Sequence, residues 1–198
     1  MKKNYILVGD SIVYGIGDYD NCGWSTLFKK YIIGKDGTKE CNNFVHIAAF
    51  PGARSYNILD RIDHILNGYK YDDFENIVIL SVGVNDTQCF NGKYSVNKDV
   101  YKKNMESIIK LIKNKNFELI ILGLTKIGQD EKIEFKPNKY YDNEIVMQYD
   151  DILKKVCKNN NIAYIPMFDI LENEDFIDGL HPNMNGHKKI YEEIVKNL

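Results

Sequence analysis

Cysteine is sparse in this chain of 198 residues. Its four cysteines, Cys22, Cys41, Cys89 and Cys157, show no Cys-x-x-Cys spacing and no histidine pair nearby. That argues against a zinc site and against a disulfide framework, so no metal and reduced thiols are expected. Long apolar runs are missing too. No stretch approaches the ~18–20 apolar residues that a membrane-spanning helix needs. The run after Met1-Lys2-Lys3-Asn4 ends at Gly9 and meets Asp10 at once, too short for a signal-peptide core, so a cytoplasmic location is expected. An excess of one charge is also lacking. Net charge is −2 with 27% charged residues, and the lysines are spread out. Nothing draws the protein strongly to nucleic acid or anionic lipid. No Pro/Gly/Ser linker or repeat divides the chain, and a hydrophobic fraction of 44% suits one domain, residues 1–198, with a substantial core.

What is present is an alternation of two patterns. Five short apolar runs rich in β-branched residues lie at 5–8, 44–48, 77–82, 119–124 and 162–165. They are apolar on both faces, as strands buried in a parallel sheet should be. Between them run helical stripes: Trp24, Leu27, Phe28, Tyr31 and Ile32; Ile58, Ile62, Ile65 and Leu66; Tyr101, Met105, Ile108, Ile109 and Ile112; Ile145, Tyr149, Ile152, Leu153 and Val156; Ile190, Tyr191, Ile194, Val195 and Leu198. The alternation predicts a three-layer α/β/α domain around a mostly parallel five-stranded sheet. The longest irregular stretches are read at 87–97 and 125–141.

Ligands of open parallel sheets bind beyond the carboxyl ends of the strands. Gly9-Asp10-Ser11 follows the first run, Phe50-Pro51-Gly52 the second and Gly83-Val84-Asn85-Asp86 the third. Asp178-Gly179-Leu180-His181 falls in the loop after the fifth. Each alone reads as a turn or a helix cap; together, in order and on one rim, they read as a site. Ser11 is a candidate nucleophile, which needs a base. His181 can take its proton near neutral pH, and Asp178, three residues earlier, can orient the imidazole. The backbone N–H groups of Ser11 and Gly52 and the side-chain amide of Asn85 are candidate donors to an oxyanion.

With these blocks in place the chain resembles the SGNH hydrolases, the GDSL-type esterase and lipase superfamily. The carrying residues are Gly9-Asp10-Ser11-Ile12, with Ile where Leu is usual, then Gly52, Gly83-Val84-Asn85-Asp86 and Asp178-Gly179-Leu180-His181-Pro182. The resemblance spans the chain from Gly9 to the last helix. It implies a flavodoxin-like fold, no cofactor and no metal. It also assigns catalytic roles to Ser11, Asp178 and His181 and oxyanion roles to Ser11, Gly52 and Asn85. Asp10 and Asp86 are read as loop braces, and His46, His64 and His187 as structural.

The expected chemistry is hydrolysis of a small-molecule carboxylic ester through an acyl-enzyme. Trp24, Phe90, Tyr94 and Tyr140 are candidate substrate contacts, with Phe135 and Tyr141 in the same loops. These mixed polar and aromatic loops favour a short acyl group, such as an O-acetyl group on a carbohydrate. Alternatives are a lysophospholipase or thioesterase acting on longer chains and a non-catalytic acyl-glycan-binding relative. An FMN or phosphate binder would want a Ser/Thr/Gly-rich loop after the first strand, which residues 9–14 do not provide.

Overall fold

A computed structural model describes residues 2–35, 42–129 and 132–198; Cys41 lies outside them. In chain order the strands are β1 (Lys3–Gly9), β2 (Asn43–Ala49), β3 (Glu75–Ser81), β4 (Cys89–Phe90), β5 (Lys93–Tyr94), β6 (Glu118–Leu122), β7 (Lys132–Lys136), β8 (Lys139–Asp142) and β9 (Ala163–Ile165). The five apolar runs are β1, β2, β3, β6 and β9. They pair in parallel in the order β2-β1-β3-β6-β9. Counted within this sheet the order is 2-1-3-4-5, the flavodoxin-like arrangement.

Side chains along β1 alternate between two cores, as the two-residue strand period requires. Tyr5 and Leu7 enter one cluster with α2 (Gly23–Lys35) and α6 (Met184–Lys196). Ile6 and Val8 enter the other with α3 (Ser55–Tyr69), α4 (Lys98–Asn114) and α5 (Asn143–Asn159). The result is helices on both faces of a parallel sheet.

The end of β1 is sterically tight. A Cβ on Gly9 would lie 2.1 Å from the Ser81 carbonyl oxygen and 2.4 Å from Val13 Cγ2. Only glycine lets the chain leave the sheet there and turn into the short helix α1 (Ser11–Tyr14). The Phe50 N–H donates to the Gly9 carbonyl at 2.9 Å, tying the loop after β2 to this turn.

The stretches read as irregular are partly ordered. They form a four-stranded antiparallel sheet in the order β5-β4-β8-β7. Asn91 and Gly92 join β4 to β5 with φ of +50° and +76°. Two consecutive positive φ values are what a tight type I′ hairpin demands, and Asn-Gly supplies them at least cost. Cys89 pairs with Tyr140 and Phe90 with Lys139, so the small sheet fastens the two long connections to each other.

Candidate active site

Ser11 is the first residue of α1 and is buried. Asp10 caps the helix: its Oδ1 accepts from the Ile12 N–H at 3.0 Å. The segment around Asp178 folds back on itself, with the Ile177 N–H donating to the His181 carbonyl at 3.0 Å. Within it, one Asp178 oxygen accepts from the backbone N–H groups of Leu180 (3.0 Å) and His181 (2.8 Å). The other lies 2.7 Å from His181 Nδ1. His181 Nε2 lies 3.1 Å from Ser11 Oγ. Residues 170 positions apart are thus joined in one chain of hydrogen bonds.

Burial pushes the Asp178 carboxyl up, but the hydrogen bonds from the His181 ring and from the two backbone N–H groups outweigh it and hold the carboxyl below the usual range. An ionised carboxylate only accepts, so Nδ1 carries a proton. In the neutral ring that leaves the Nε2 lone pair facing the Ser11 hydroxyl.

Asn85 follows β3 in a 3-10 turn spanning Val84–Thr87. Its Nδ2 donates to the Ala53 carbonyl at 3.1 Å and to Asp10 Oδ2 at 3.2 Å, while its Oδ1 accepts from the Tyr141 hydroxyl at 3.3 Å. Burial raises the Asp10 carboxyl to about 7. Gly52 occupies the second central position of a Pro-Gly turn, with φ +79° and the Ala53 N–H bonded to the Phe50 carbonyl at 2.9 Å. Neither the Gly52 nor the Ser11 N–H donates to another of the described residues.

The family description for GDSL-like lipases and acylhydrolases matches residues 7–189. The chain belongs to the GDSL-like lipase/acylhydrolase family. As such it is a carboxylic ester hydrolase. Among curated proteins no relative matches it. Solved structures of similar fold include three relevant ones. A lipase/acylhydrolase from Enterococcus faecalis has TM-score 0.73 at 20% identity, covering 98% of this chain and 94% of that one. An acetyl xylan esterase from Geobacillus stearothermophilus has TM-score 0.74 at 16% identity, covering 98% and 93%. TesA has TM-score 0.75 at 20% identity, covering 99% and 98%.

The remaining candidate residues of this acylhydrolase fall differently. Trp24 is fully buried among Tyr5, Phe28 and the α6 side chains, the position of a core residue and not of an exposed substrate contact. Its place at the start of a 0-3-4-7-8 stripe is a core signature. Phe90 and Tyr94 are exposed on the β4–β5 hairpin, and Tyr140 on β8 pairs with Cys89. Tyr141, its neighbour, is the buried one that reaches Asn85; strand alternation sends adjacent residues to opposite faces. The Phe135 ring meets the His181 imidazole edge-on, with centroids 5.9 Å apart. Beside these groups lies a hollow of about 610 Å³ lined by Arg54, Gln88, Phe90, Asn91, Lys93 and Ser95. Arg54 and Gln88 carried no sequence motif; the Asn91-Gly92 turn was the available signal that this segment forms a wall.

Asp86 serves as a brace. It accepts from the Ser55 N–H (3.0 Å) and Oγ (2.5 Å) at the start of α3, and Asn104 donates to the same Oγ at 2.9 Å. Burial raises its carboxyl to about 6, against the pull of these bonds.

His187 braces the other side. Fully buried on α6, its Nε2 donates to the Ile16 carbonyl at 3.0 Å and its Nδ1 accepts from the Trp24 N–H at 3.3 Å. Burial holds its imidazole below the ordinary range, outweighing the Ile16 hydrogen bond. A folded value below the unfolded ~6.5 means that the neutral ring's contribution is complete above that pH. It is lost as pH falls from there through the folded value. His187→Gln is therefore expected to cost about 1–3 kcal/mol at pH 8. Urea unfolding should show the gap to wild type narrowing by pH 5.

Proposed function

We propose that the chain acts as one catalytic domain that hydrolyses short-acyl esters through an acyl-enzyme, with Ser11 as nucleophile, His181 as general base and Asp178 as its orienter. The observation that supports this reading is the continuous Asp178–His181–Ser11 chain, with links of 2.7 and 3.1 Å. In the first step Ser11 Oγ bonds to the ester carbonyl carbon while its proton passes to His181 Nε2. The tetrahedral intermediate collapses, the alkoxide leaves and His181 returns the proton to it. Water then repeats the sequence on the acyl-enzyme, releasing the acid and restoring Ser11. No cofactor is needed.

Negative charge develops on the former carbonyl oxygen. The uncommitted N–H groups of Ser11 and Gly52 are proposed as two of its donors, and the Asn85 amide as the third. In the resting structure both Asn85 amide hydrogens face protein oxygens, so an oxyanion must compete for one of them. The long 3.2 Å bond to Asp10 is the weaker claim. Burial raises the Asp10 carboxyl to about 7, so protonation, which would weaken it as an acceptor, comes more easily than for an ordinary carboxylate.

The hollow beside the site supports a small acyl group on a polar alcohol, with an O-acetylated carbohydrate as the favoured case. Five of its six lining residues are polar or charged, whereas long acyl chains favour continuous apolar walls. The fold likeness to an acetyl xylan esterase agrees with this preference without carrying it. The exposed Phe90 and Tyr94 are what the long-chain alternative would use. A rate series on 4-nitrophenyl acetate, butyrate and octanoate tests the choice. The expected kcat/KM falls about tenfold or more from acetate to octanoate, the loss of roughly 1.4 kcal/mol or more. A rise toward octanoate would replace the short-acyl reading with the long-chain one. No turnover of any ester would leave only the non-catalytic binding relative.

A further inference from the structure

Arg54 is a half-buried cation without a carboxylate partner among the described residues. It immediately precedes α3, and its guanidinium donates only to neutral groups: Gln88 Oε1 (3.0 Å), Ser95 Oγ (3.3 Å) and the Tyr56 hydroxyl (3.4 Å). Its Nε is buried with no hydrogen-bond partner among the described residues. It joins no ion pair with them either, although a paired arrangement is what usually accompanies a buried guanidinium. Asp86 is close enough to feel the charge, but its oxygens serve Ser55.

Other cations gather at the same place in a chain whose net charge is −2. Lys93 lines the hollow with Arg54. Lys139 stands opposite Phe90 in the β4–β8 pairing. Burial lowers the Lys139 ammonium, and the nearby charges of Lys136 and Arg54 add to the effect. Glu134, an acid on this sheet, is occupied by the Asn138 N–H at 2.9 Å and by Tyr140.

Two routes connect this patch to the reacting groups. Arg54 donates to Gln88, Gln88 Nε2 donates to the Tyr141 hydroxyl at 2.8 Å, and Tyr141 donates to Asn85 Oδ1 at 3.3 Å. Every bond points the same way, so each polarises the next and leaves the Asn85 amide hydrogens more positive. Burial pushes the Tyr141 hydroxyl up to about 12, so it remains a neutral donor. By the second route, the Lys139 ammonium lies 5.3 Å from the centre of the Phe135 ring, which packs edge-on against His181.

We propose that the hollow bounded by Arg54 and Lys93 is a subsite for an anionic oxygen group, a carboxylate or a phosphate, carried on the alcohol portion of the ester substrate. The inference rests on the short-acyl reading above. The charged and polar groups that line most of the hollow suit the alcohol portion of the ester rather than its acyl group. A guanidinium with neutral partners can form charge-assisted bonds to such a group without first giving up an ion pair.

Three acetate esters test it: methyl 3-acetoxybenzoate, 3-acetoxybenzoate and 3-acetoxyphenyl phosphate. They share the acyl group and differ in the charge on the alcohol. Wild-type kcat/KM is expected to be about tenfold or more higher for at least one anionic ester than for the neutral one. Which of the two leads tells carboxylate from phosphate. The preference should shrink in 0.5 M salt, where the screening length is about 4 Å, fall to about twofold or less in Arg54→Met and fall part-way in Lys93→Met, which alters only an exposed hairpin position. The readout is the ratio between esters, so a general loss of activity or folding yield in Arg54→Met does not mimic it. Turnover of the neutral ester without anionic preference, or a preference that survives both substitutions, overturns the subsite and leaves the esterase reading standing. Failure to hydrolyse any of the three overturns both.

Discussion

Ser11→Ala is expected to lower kcat for 4-nitrophenyl acetate by about 10⁴–10⁶-fold while leaving the fold intact. The size follows from what is removed. Among the described residues, the Ser11 hydroxyl is the oxygen that His181 Nε2 meets, at 3.1 Å. Without it no covalent intermediate forms, and only the oxyanion donors and substrate binding remain to help water attack directly. The fold should tolerate the change. The cap of α1 is made by Asp10 through Ile12, and the glycine that the tight turn requires is Gly9, so Ser11 Oγ carries neither burden. Circular dichroism and urea unfolding of the variant should match wild type within about 1 kcal/mol. A loss of less than about tenfold would remove Ser11 from the nucleophile's role.

Asp178→Asn should cost about 10³–10⁴-fold in kcat, with KM little changed, by a different route. The Asn Oδ1 can keep the bonds from the Leu180 and His181 N–H groups, so the loop geometry should survive. Its Nδ2 then donates toward His181 Nδ1, where the carboxylate oxygen accepted at 2.7 Å. That selects the tautomer with its proton on Nε2, which cannot accept one from Ser11. The carboxylate that would stabilise the imidazolium is gone as well. The split is diagnostic: a merely structural Asp178 would lower stability and active fraction, whereas an orienting one lowers kcat in fully folded enzyme. Active-site titration beside the rate measurement separates the two.

The parts of this site that were legible in the chain are those whose chemistry forces short, contiguous residues. A parallel strand buried on both faces needs a continuous apolar run, and all five were visible. Their ends shift by a residue or two where the ladder hydrogen bonds run past the apolar stretch or stop short of it. Gly9 had to be glycine because Ser81 and Val13 leave no room for a Cβ, so its tripeptide with Ser11 stands out. Asp178 and His181 are three apart because a single tight turn brings their side chains together.

What escaped is what depends on tertiary placement. Trp24 is the exception: it heads an apolar stripe whose spacing already marked it as core, and the structure packs it there. Tyr141 differs from Tyr140 by one step along a strand, and the register of β8 against β4 decides which of them faces Asn85. The segment with β7 and β8 contains Pro137, which masks strand periodicity, and β4 and β5 are two residues each, too short for alternation to register. Arg54 had no local pattern at all. Its importance lies in the absence of a carboxylate partner among the described residues, which a sequence cannot display.

The central claim, that Ser11 becomes covalently acylated with the help of His181, is tested most directly by labelling. Wild-type enzyme treated with a serine-directed organophosphonate and analysed by intact-mass and peptide mass spectrometry should gain one label, located on Ser11, in step with loss of esterase activity. Ser11→Ala should gain none. A label on another residue, or undiminished ester hydrolysis with Ser11 fully modified, would contradict the account.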